Sequence, residues 1–314
     1  MNELQSGFSH TLKQSDFDRF AVLSGDDNPI HCDPEFARRS HFGATVAHGM
    51  FLYGLIYRAL AEAMPEAGML QLEQELMFPN PSFARDEVEV LVAPLPAGPD
   101  GGHCFSTVVR KRVGGESVVT ASGRARVRNA GSAAALAAYA GGPADAAAAG
   151  HSDAELRGLR RGMRARAERV LSDADLADYA ALTGDNNPLH HSDAWAREHG
   201  FAGRLVPPPL LASMFSDLLG TRLPGRGTGW MKQTLRFVAP AYVGERITAE
   251  VEIVRLRADK DLVNLASVLT GADGRVICRG ESLVLVRNLE TALETALETP
   301  PQTPLETLLE TPAT

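Results

Sequence analysis

Residues 20–31 read FAVLSGDDNPIH, and residues 179–190 read YAALTGDNNPLH. The second segment lies 159 positions after the first (190 minus 31), and the same offset pairs Phe78 with Phe237. No insertion is needed to keep this register over roughly 120 residues, a length that chance similarity does not sustain. The sequence therefore predicts a duplicated domain.

Length and composition agree with two globular domains. The chain has 314 residues, of which 44% are hydrophobic and 22% charged, so each half is large enough to bury its own core. The formal net charge of −8 argues against a nucleic-acid surface, which needs a clustered positive field.

The cysteines and the apolar segments indicate a protein of the cytoplasm. Cys32, Cys104 and Cys278 are few, odd in number and form no CxxC pair, so neither a disulfide framework nor a thiolate zinc site is expected. The N-terminus lacks the pattern of a signal peptide. The longest apolar run contains Arg58 and Glu62 and is too short to span a bilayer, so no membrane association is expected.

The order of hydrophobic patterns is the same in both copies. An amphipathic helix is predicted over 15–23 and 173–182, before the GDxNPxH segment. A helix that is apolar on nearly all sides follows over 50–64 and 210–219, which is typical of a helix buried in a core. Residues 70–78 then alternate apolar and polar, as a half-buried strand does. Further strand segments joined by glycine turns complete the pattern, which predicts an α+β fold with an antiparallel sheet curled around the helix.

These patterns divide the chain into four parts. Residues 1–128 form the first domain and 156–288 the second. Residues 129–155 are rich in Ala and Gly and are interpreted as a linker. Residues 289–314 are a low-complexity acidic tail interrupted by prolines, a composition typical of disorder.

The GDxNPxH segment combines a turn with two groups that exchange protons. Asn28 and Pro29 favour a turn, because proline fixes its own φ and biases the preceding residue toward extended geometry. Such a turn brings Asp26 and His31 to face one point, where a carboxylate and an imidazole hold a water between them. Asp and Asn beside proline also serve simply to cap helices, and the motif alone leaves that alternative open.

The surrounding residues give a more specific indication. GDDNPIHCDPEFA (25–37), followed by FGATVAHGM (42–50), resembles the signature of the MaoC-like (R)-specific enoyl-CoA hydratases, also called hydratase 2. GDNNPLHHSDAWA (184–196) carries the motif again, and the resemblance covers both copies nearly end to end. It implies two hot-dog domains paired into a double hot dog. It also implies no metal and no organic cofactor, with coenzyme A present only as part of the substrate.

The resemblance also implies a reaction. Asp26 and His31 together activate one water, which adds syn across a trans-2-enoyl thioester to give a (3R)-3-hydroxyacyl thioester, or leaves in the reverse dehydration. The third implied element is the backbone N–H of Gly49, which stabilises the enolate oxygen. Gly49 falls where the apolar helix begins, and there N–H groups are unpaired and the helix dipole is positive. A packing role for Gly49 is compatible with the same position.

The two copies differ at this third element. The second copy keeps Asp185 and His190 but has Pro208 at the Gly49 position, and proline has no N–H to donate. We therefore expect the principal site in the first copy, with Asp185 and His190 as a second, degenerate pair. This reverses the order usual in fused members of the family, where the C-terminal copy tends to keep the site.

Two other functions stay open at this point. One is a hot-dog thioesterase, which hydrolyses the thioester instead of hydrating the alkene. The other is a non-catalytic subunit that binds acyl thioesters, to which the loss of the N–H at Pro208 lends support. The expected ligand is an acyl-CoA or acyl carrier protein thioester. The two domains are expected to join their sheets within the chain, and a homo-oligomer stays open.

Other candidates are weaker. Cys32 is interpreted as a core residue, and the adjacent His190 and His191 do not point to one metal. His48 is interpreted as a capping residue or a contact to the thioester. The glycine-rich segment 225–229 lacks the ending of a phosphate loop. Six basic residues are candidates for the phosphates of coenzyme A: Arg38, Arg39, Arg197, Arg204, Lys232 and Arg236.

Overall fold

The computed structural model describes residues 6–64, 68–98, 101–130, 155–287 and 289. Of the predicted linker 129–155, only residues 129, 130 and 155 are described. Of the predicted tail 289–314, only residue 289 is described.

In its described residues, the first copy has five strands and four helices. They are β1 (Ser6–Thr11), α1 (Gln14–Ser24), α2 (Pro29–Cys32), α3 (Pro34–Arg39), α4 (Gly49–Ala63), β2 (Met69–Met77), β3 (Glu87–Leu95), β4 (His103–Val113) and β5 (Glu116–Asn129). Strand β1 was not predicted from the sequence. It pairs with β3 at the edge of the sheet, from Ser6 opposite Val92 to Thr11 opposite Glu87.

The second copy repeats the same order of elements. They are β6 (Arg164–Val170), α5 (Asp173–Thr183), α6 (Pro188–His191), α7 (Asp193–Glu198), α8 (Pro208–Thr221), β7 (Gly229–Phe237), β8 (Arg246–Arg257), a 3-10 turn (Ala258–Lys260), β9 (Leu262–Gly271) and β10 (Val276–Leu285). The repeated order confirms the duplication that the fixed offset predicts.

The strands form one antiparallel sheet of ten, in the order β1-β3-β4-β5-β2-β7-β10-β9-β8-β6. The two copies meet at its centre, where β2 pairs with β7 from Glu73 opposite Arg236 to Met77 opposite Lys232. The predicted joining of the two sheets is therefore confirmed. Helix α1 of the first copy lies beside helix α5 of the second.

Helices α4 and α8 pack against each other and against strands of the sheet. In α4 the consecutive residues Leu55, Ile56 and Tyr57 are all fully buried. Because neighbouring residues on a helix point about 100° apart, burial of three in a row means that the helix is enclosed on most sides. This confirms the predicted core helix. Among the described residues, no helix has both the length and the apolar character needed to cross a bilayer.

Candidate active site

A short loop between α1 and α2 brings the predicted acid and base together. Helix α1 ends at Gly25, whose φ of 82° is left-handed and suits glycine. Helix α2 begins with Pro29, and the Asn28 side chain caps it by accepting from Ile30 N–H. This reverses the chain within a few residues. Donor atoms of Asp26 and His31 consequently lie within 4.8 Å of each other.

Residues of the second copy hold the Asp26 carboxylate. Ser216 Oγ of α8 donates to Oδ2 at 2.5 Å, and Asn28 N–H donates to Oδ1 at 3.2 Å. Gly220, one turn further along α8, has no room for a side chain, because a Cβ there would lie 2.3 Å from Asp26 Oδ1. Burial raises the pKa of Asp26 to about 7, and the bonds from Ser216 and Asn28 act in the opposite direction. The site is thus built from both copies.

The His31 ring has a defined tautomer. Its Nδ1 lies 2.8 Å from the carbonyl oxygen of Val46, and since a carbonyl only accepts, Nδ1 carries the hydrogen of the neutral ring. Nε2 is then a bare acceptor. Burial lowers the pKa of His31 to about 4, against the opposing effect of the Val46 bond. At neutral pH, His31 is therefore an uncharged base.

Asn28 fastens this loop to the other copy. Its Oδ1 accepts from Gly227 N–H at 2.9 Å, and its Nδ2 donates to the Thr228 carbonyl at 3.0 Å. These partners belong to the glycine-rich segment 225–229. The sequence showed only that this segment is not a phosphate loop, and the structure shows that it is an anchor for the loop of Asp26.

Asp26 and His31 both line a cavity of about 280 Å³. Its walls are mainly apolar and come from both copies, including Leu52 and Phe78 of the first and Leu219 and Trp230 of the second. A mainly apolar cavity with a few polar groups is typical of a pocket for a small or chain-like ligand.

Gly49 lies in the cavity wall and is the first residue of α4. Its N–H therefore has no acceptor within the helix. A Cβ at this position would lie 2.7 Å from Cζ of Phe78. Both interpretations of Gly49 from the sequence are thus compatible with the structure, since its N–H faces the start of the helix and its lack of a side chain admits the Phe78 ring.

The second copy has the same pair without the same space. Tyr57 of α4 donates from its hydroxyl to His190 Nε2 at 2.8 Å, while Asn187 Nδ2 donates to that hydroxyl at 2.9 Å. The cavity beside His190 measures only about 10 Å³, and Asp185 does not line it. Burial raises the pKa of Asp185 to about 6 and lowers that of His190 to about 3.

The difference in space between the two sites comes from one position on the central helices. Tyr57 and Ser216 are separated by the repeat offset of 159 (216 minus 57), and each reaches into the loop of the other copy. Sequence reasoning missed both residues and assigned the difference to Pro208 alone. Pro208 is indeed the first residue of α8, so the second copy lacks both the free N–H and the space.

Most of the weaker candidates, among them Cys32, His190 and His191, do not line the cavity of about 280 Å³. Burial raises the pKa of the Cys32 thiol to about 11, which makes it a poor nucleophile. His190 and His191 bind different backbone carbonyls, those of Leu205 and Asp185. None of the six basic candidates for phosphate contact is among the described residues that line the cavity.

Asp26, His31 and His48 form the group of described residues whose donor atoms come close enough to share a metal ion. The two rings stack with their centroids 3.8 Å apart and their planes 26° apart. A ring nitrogen binds a metal in the plane of its ring, and nearly parallel planes do not converge on one nearby ion. The absence of a metal and of a cofactor stays a prediction.

Comparison with known proteins finds a family match in each copy. A sequence model of the MaoC like domain matches residues 3–94 and 158–271, one segment in each copy. The (R)-specific enoyl-CoA hydratase of Aeromonas caviae is 40% identical over 126 residues, which cover 40% of this chain and 94% of that protein.

Two solved structures match nearly the whole chain. One, described as a MaoC-like dehydratase, has a TM-score of 0.70 at 18% identity and covers 90% of this chain and 97% of its own. The other is a conserved hypothetical protein from Mycobacterium tuberculosis described as having a double hotdog fold. It has a TM-score of 0.63 at 14% identity and covers 91% of this chain and 96% of its own. At these identities the likeness concerns the fold, and it confirms the predicted double hot dog.

Proposed function

The chain belongs to the MaoC-like domain family, and on that premise we propose that it is an (R)-specific hydratase of trans-2-enoyl thioesters. The same residues catalyse the reverse dehydration of (3R)-3-hydroxyacyl thioesters. The observation that carries the proposal is the cavity of about 280 Å³ that Asp26 and His31 both line. The hydratase named among the similar proteins supports the same reaction.

The protonation states of the two groups suit the addition of water. Neutral His31 presents a bare Nε2, which accepts a proton from water as the water oxygen bonds to C3 of the alkene. The alkene electron pair moves toward the thioester carbonyl, and Asp26, with a pKa of about 7, delivers its proton to C2. Transfer of the proton from His31 to Asp26 then restores the starting state. Since the two groups lie side by side within 4.8 Å, both additions occur on one face, which is syn.

Gly49 is the proposed donor to the developing enolate. The negative charge that forms on the carbonyl oxygen is stabilised by an N–H at the positive end of a helix dipole. Gly49 provides that N–H in the wall of the cavity that holds Asp26 and His31. Pro208, at the matching position of α8, provides none.

The proposal assigns one working site to each chain. The second copy supplies Ser216 and Gly220 to that site. In its own pair, His190 Nε2 is occupied by a hydrogen bond from the Tyr57 hydroxyl. A single chain therefore contains a complete active site. The acyl carrier, whether coenzyme A or a carrier protein, and the cytoplasmic location stay predictions.

The test compares Asp26→Asn with its matched control, Asp185→Asn. Loss of a positioned acid–base group typically costs 10²–10⁴ in rate, so we expect Asp26→Asn to lower kcat for hydration of crotonyl-CoA by about 10³. Asp185→Asn should keep most of the activity, because its carboxyl lines neither the large cavity nor the small one beside His190. Product analysis should show the (3R)-hydroxyacyl thioester.

Three outcomes contradict the proposal. Equal losses in the two variants would remove the assignment to the first copy. Release of free thiol by the wild-type protein, without hydration, would show a thioesterase instead. Binding of acyl-CoA with neither reaction would show the non-catalytic subunit. Circular dichroism of each variant checks that the fold is kept.

A further inference from the structure

His48 is fully buried behind the proposed acid–base pair and does not line the cavity. Its Nε2 lies 3.0 Å from the backbone carbonyl oxygen of Asp26, so Nε2 carries the hydrogen and donates it. Its ring stacks on His31 with centroids 3.8 Å apart and contacts Phe20 on another side at 5.0 Å. One side chain thus touches both members of the pair.

The second copy keeps the same hydrogen bond with a donor from another position. There Pro207 occupies the position of His48 and has no side-chain donor. His191 replaces it, with Nε2 at 3.0 Å from the Asp185 carbonyl oxygen. The first-copy counterpart of His191 is Cys32. Two unrelated positions therefore supply an imidazole to the same carbonyl, which indicates that this loop requires a donor at that place.

Of these two imidazole donors, His48 also stacks on the proposed base of its copy, His31. His191 in the second copy instead follows His190 in the same short helix α6. Among the described residues, no other group donates a hydrogen bond to the carbonyl oxygen of Asp26. Without His48, the Asp26 backbone and the His31 ring lose the side chain that contacts them both.

We propose that His48 is a positioning residue, which sets the separation of Asp26 and His31 by binding the backbone of the first and stacking on the ring of the second. The inference rests on the proposed function for its kinetic consequence. Displacement of a reacting group by about 1 Å can cost 10²-fold in rate. Removal of His48 should therefore lower kcat while leaving KM nearly unchanged.

Three substitutions separate the two contacts. His48→Phe keeps a ring against His31 but removes the donor, and His48→Gln keeps an amide donor but removes the ring. His48→Ala removes both, and we expect it to lower kcat by about 10², with smaller losses in the other two. The pH profile of kcat should shift with the kcat loss, because a changed separation alters the coupling between the two titrating groups. A merely structural role would leave the profile in place.

The second copy suggests a rescue. Cys32→His introduces an imidazole at the position that His191 uses, so the double variant His48→Ala/Cys32→His should recover at least about tenfold of the lost kcat. The matched control is His191→Ala, which breaks the same bond beside Asp185. It should lower the melting temperature as His48→Ala does, and it should leave kcat close to that of the wild type.

The inference is overturned if His48→Ala retains wild-type kcat and pH profile, if the double variant shows no recovery, or if His191→Ala loses as much kcat as His48→Ala. A readout without activity keeps it separate from the proposed function. Nitrogen NMR of labelled histidine should show the His31 ring signals displaced in His48→Phe and unchanged in His191→Ala. If the wild type has no hydratase activity, the proposed function fails, and the NMR comparison still decides the role of His48.

Discussion

Ser216→Tyr should convert the working site into a copy of the filled one. In the second copy, the Tyr57 hydroxyl donates to His190 Nε2 at 2.8 Å, and only about 10 Å³ of space is left beside that ring. Position 216 is related to position 57 by the repeat, and it faces a cavity of about 280 Å³. A phenol introduced there has room to enter and reach the bare Nε2 of His31.

The expected loss of activity is large, whereas the expected change in stability is small. Occupation of His31 removes an acid–base contribution of 10²–10⁴, and the ring excludes the substrate, so we expect kcat/KM to fall by at least about 10³. Burial of an aromatic side chain contributes about 1.5–3 kcal/mol. Loss of the Ser216 bond to Asp26 costs about 1–3 kcal/mol. These contributions nearly cancel, so the melting temperature should stay within about 5 °C of that of the wild type.

The assay follows hydration of crotonyl-CoA together with thermal melting, with Ser216→Ala as the matched control. The control loses one bond to a charged group, worth about 1.5–3 kcal/mol or roughly 10- to 100-fold in rate, and keeps the cavity open. Since the Ser216 bond lowers the pKa of Asp26, its removal should also move the upper limb of the pH profile to higher pH. If Ser216→Tyr melts normally and still hydrates the substrate, the occupant of position 216 does not decide which site works.

Three further outcomes are expected. Tyr57→Ser should lower the free energy of unfolding by about 3–5 kcal/mol, as for other buried aromatic truncations. In an Asp26→Asn background it should add no activity at the second site, because Pro208 has no N–H. Hydration by that double variant would contradict this expectation. Gly49→Pro should lose about 10²–10³ more kcat than Gly49→Ala, since both add a Cβ against Phe78 and only proline lacks the donor; equal losses would leave Gly49 a packing role alone. The profile of kcat/KM against pH should be a bell with limbs near 4 and 7, because the reaction needs a neutral His31 and a protonated Asp26. Burial lowers the pKa of His31 to about 4 and raises that of Asp26 to about 7. Activity that rises steadily above pH 7 would show that Asp26 acts as a carboxylate.

The same two pKa values fix the sign of the stability changes. Asp26 has a pKa above its ordinary 3.8, so the folded state disfavours its charged form, and its contribution to stability is lost as pH rises from about 4 to about 7. His31 has a pKa below its ordinary 6.5, so stability falls as pH drops from about 6.5 toward 4. Both groups therefore resist charging in the folded state.

The sequence predicted what depends on local pattern and on the repeat. The fixed offset predicts two equal domains, the all-round apolar segment predicts the buried helix α4, and the Asn28-Pro29 turn predicts that Asp26 and His31 meet. These features depend on residues close in the chain or on a repetition that can be read directly. The edge strands β1 and β6 were missed, because their short segments show weak alternation beside the longer inner strands.

The contacts between the copies could not be read from the sequence. Ser216 reaches Asp26 across 190 positions, and Tyr57 reaches His190 across 133. Each lies in an apolar helix, where a serine or a tyrosine looks like an ordinary core residue. The offset alone contained a usable signal, since it aligns Tyr57 with Ser216. Recognition of its meaning requires knowing that the central helix of one copy faces the loop of the other.

Because the domain is duplicated within one chain, a side chain can occupy the site of the second copy while the site of the first copy stays open. In a dimer of identical single domains, the residue at this helix position is the same in both sites, so a tyrosine there fills both. In a tandem chain the two positions vary separately. Tyr57 is fully buried and stabilises the core, while Ser216 keeps space and a hydrogen bond at Asp26. On the proposed function, we therefore expect activity to be more sensitive to substitution of Ser216 and Gly220, which contact Asp26, than to substitution of Asp185 and His190.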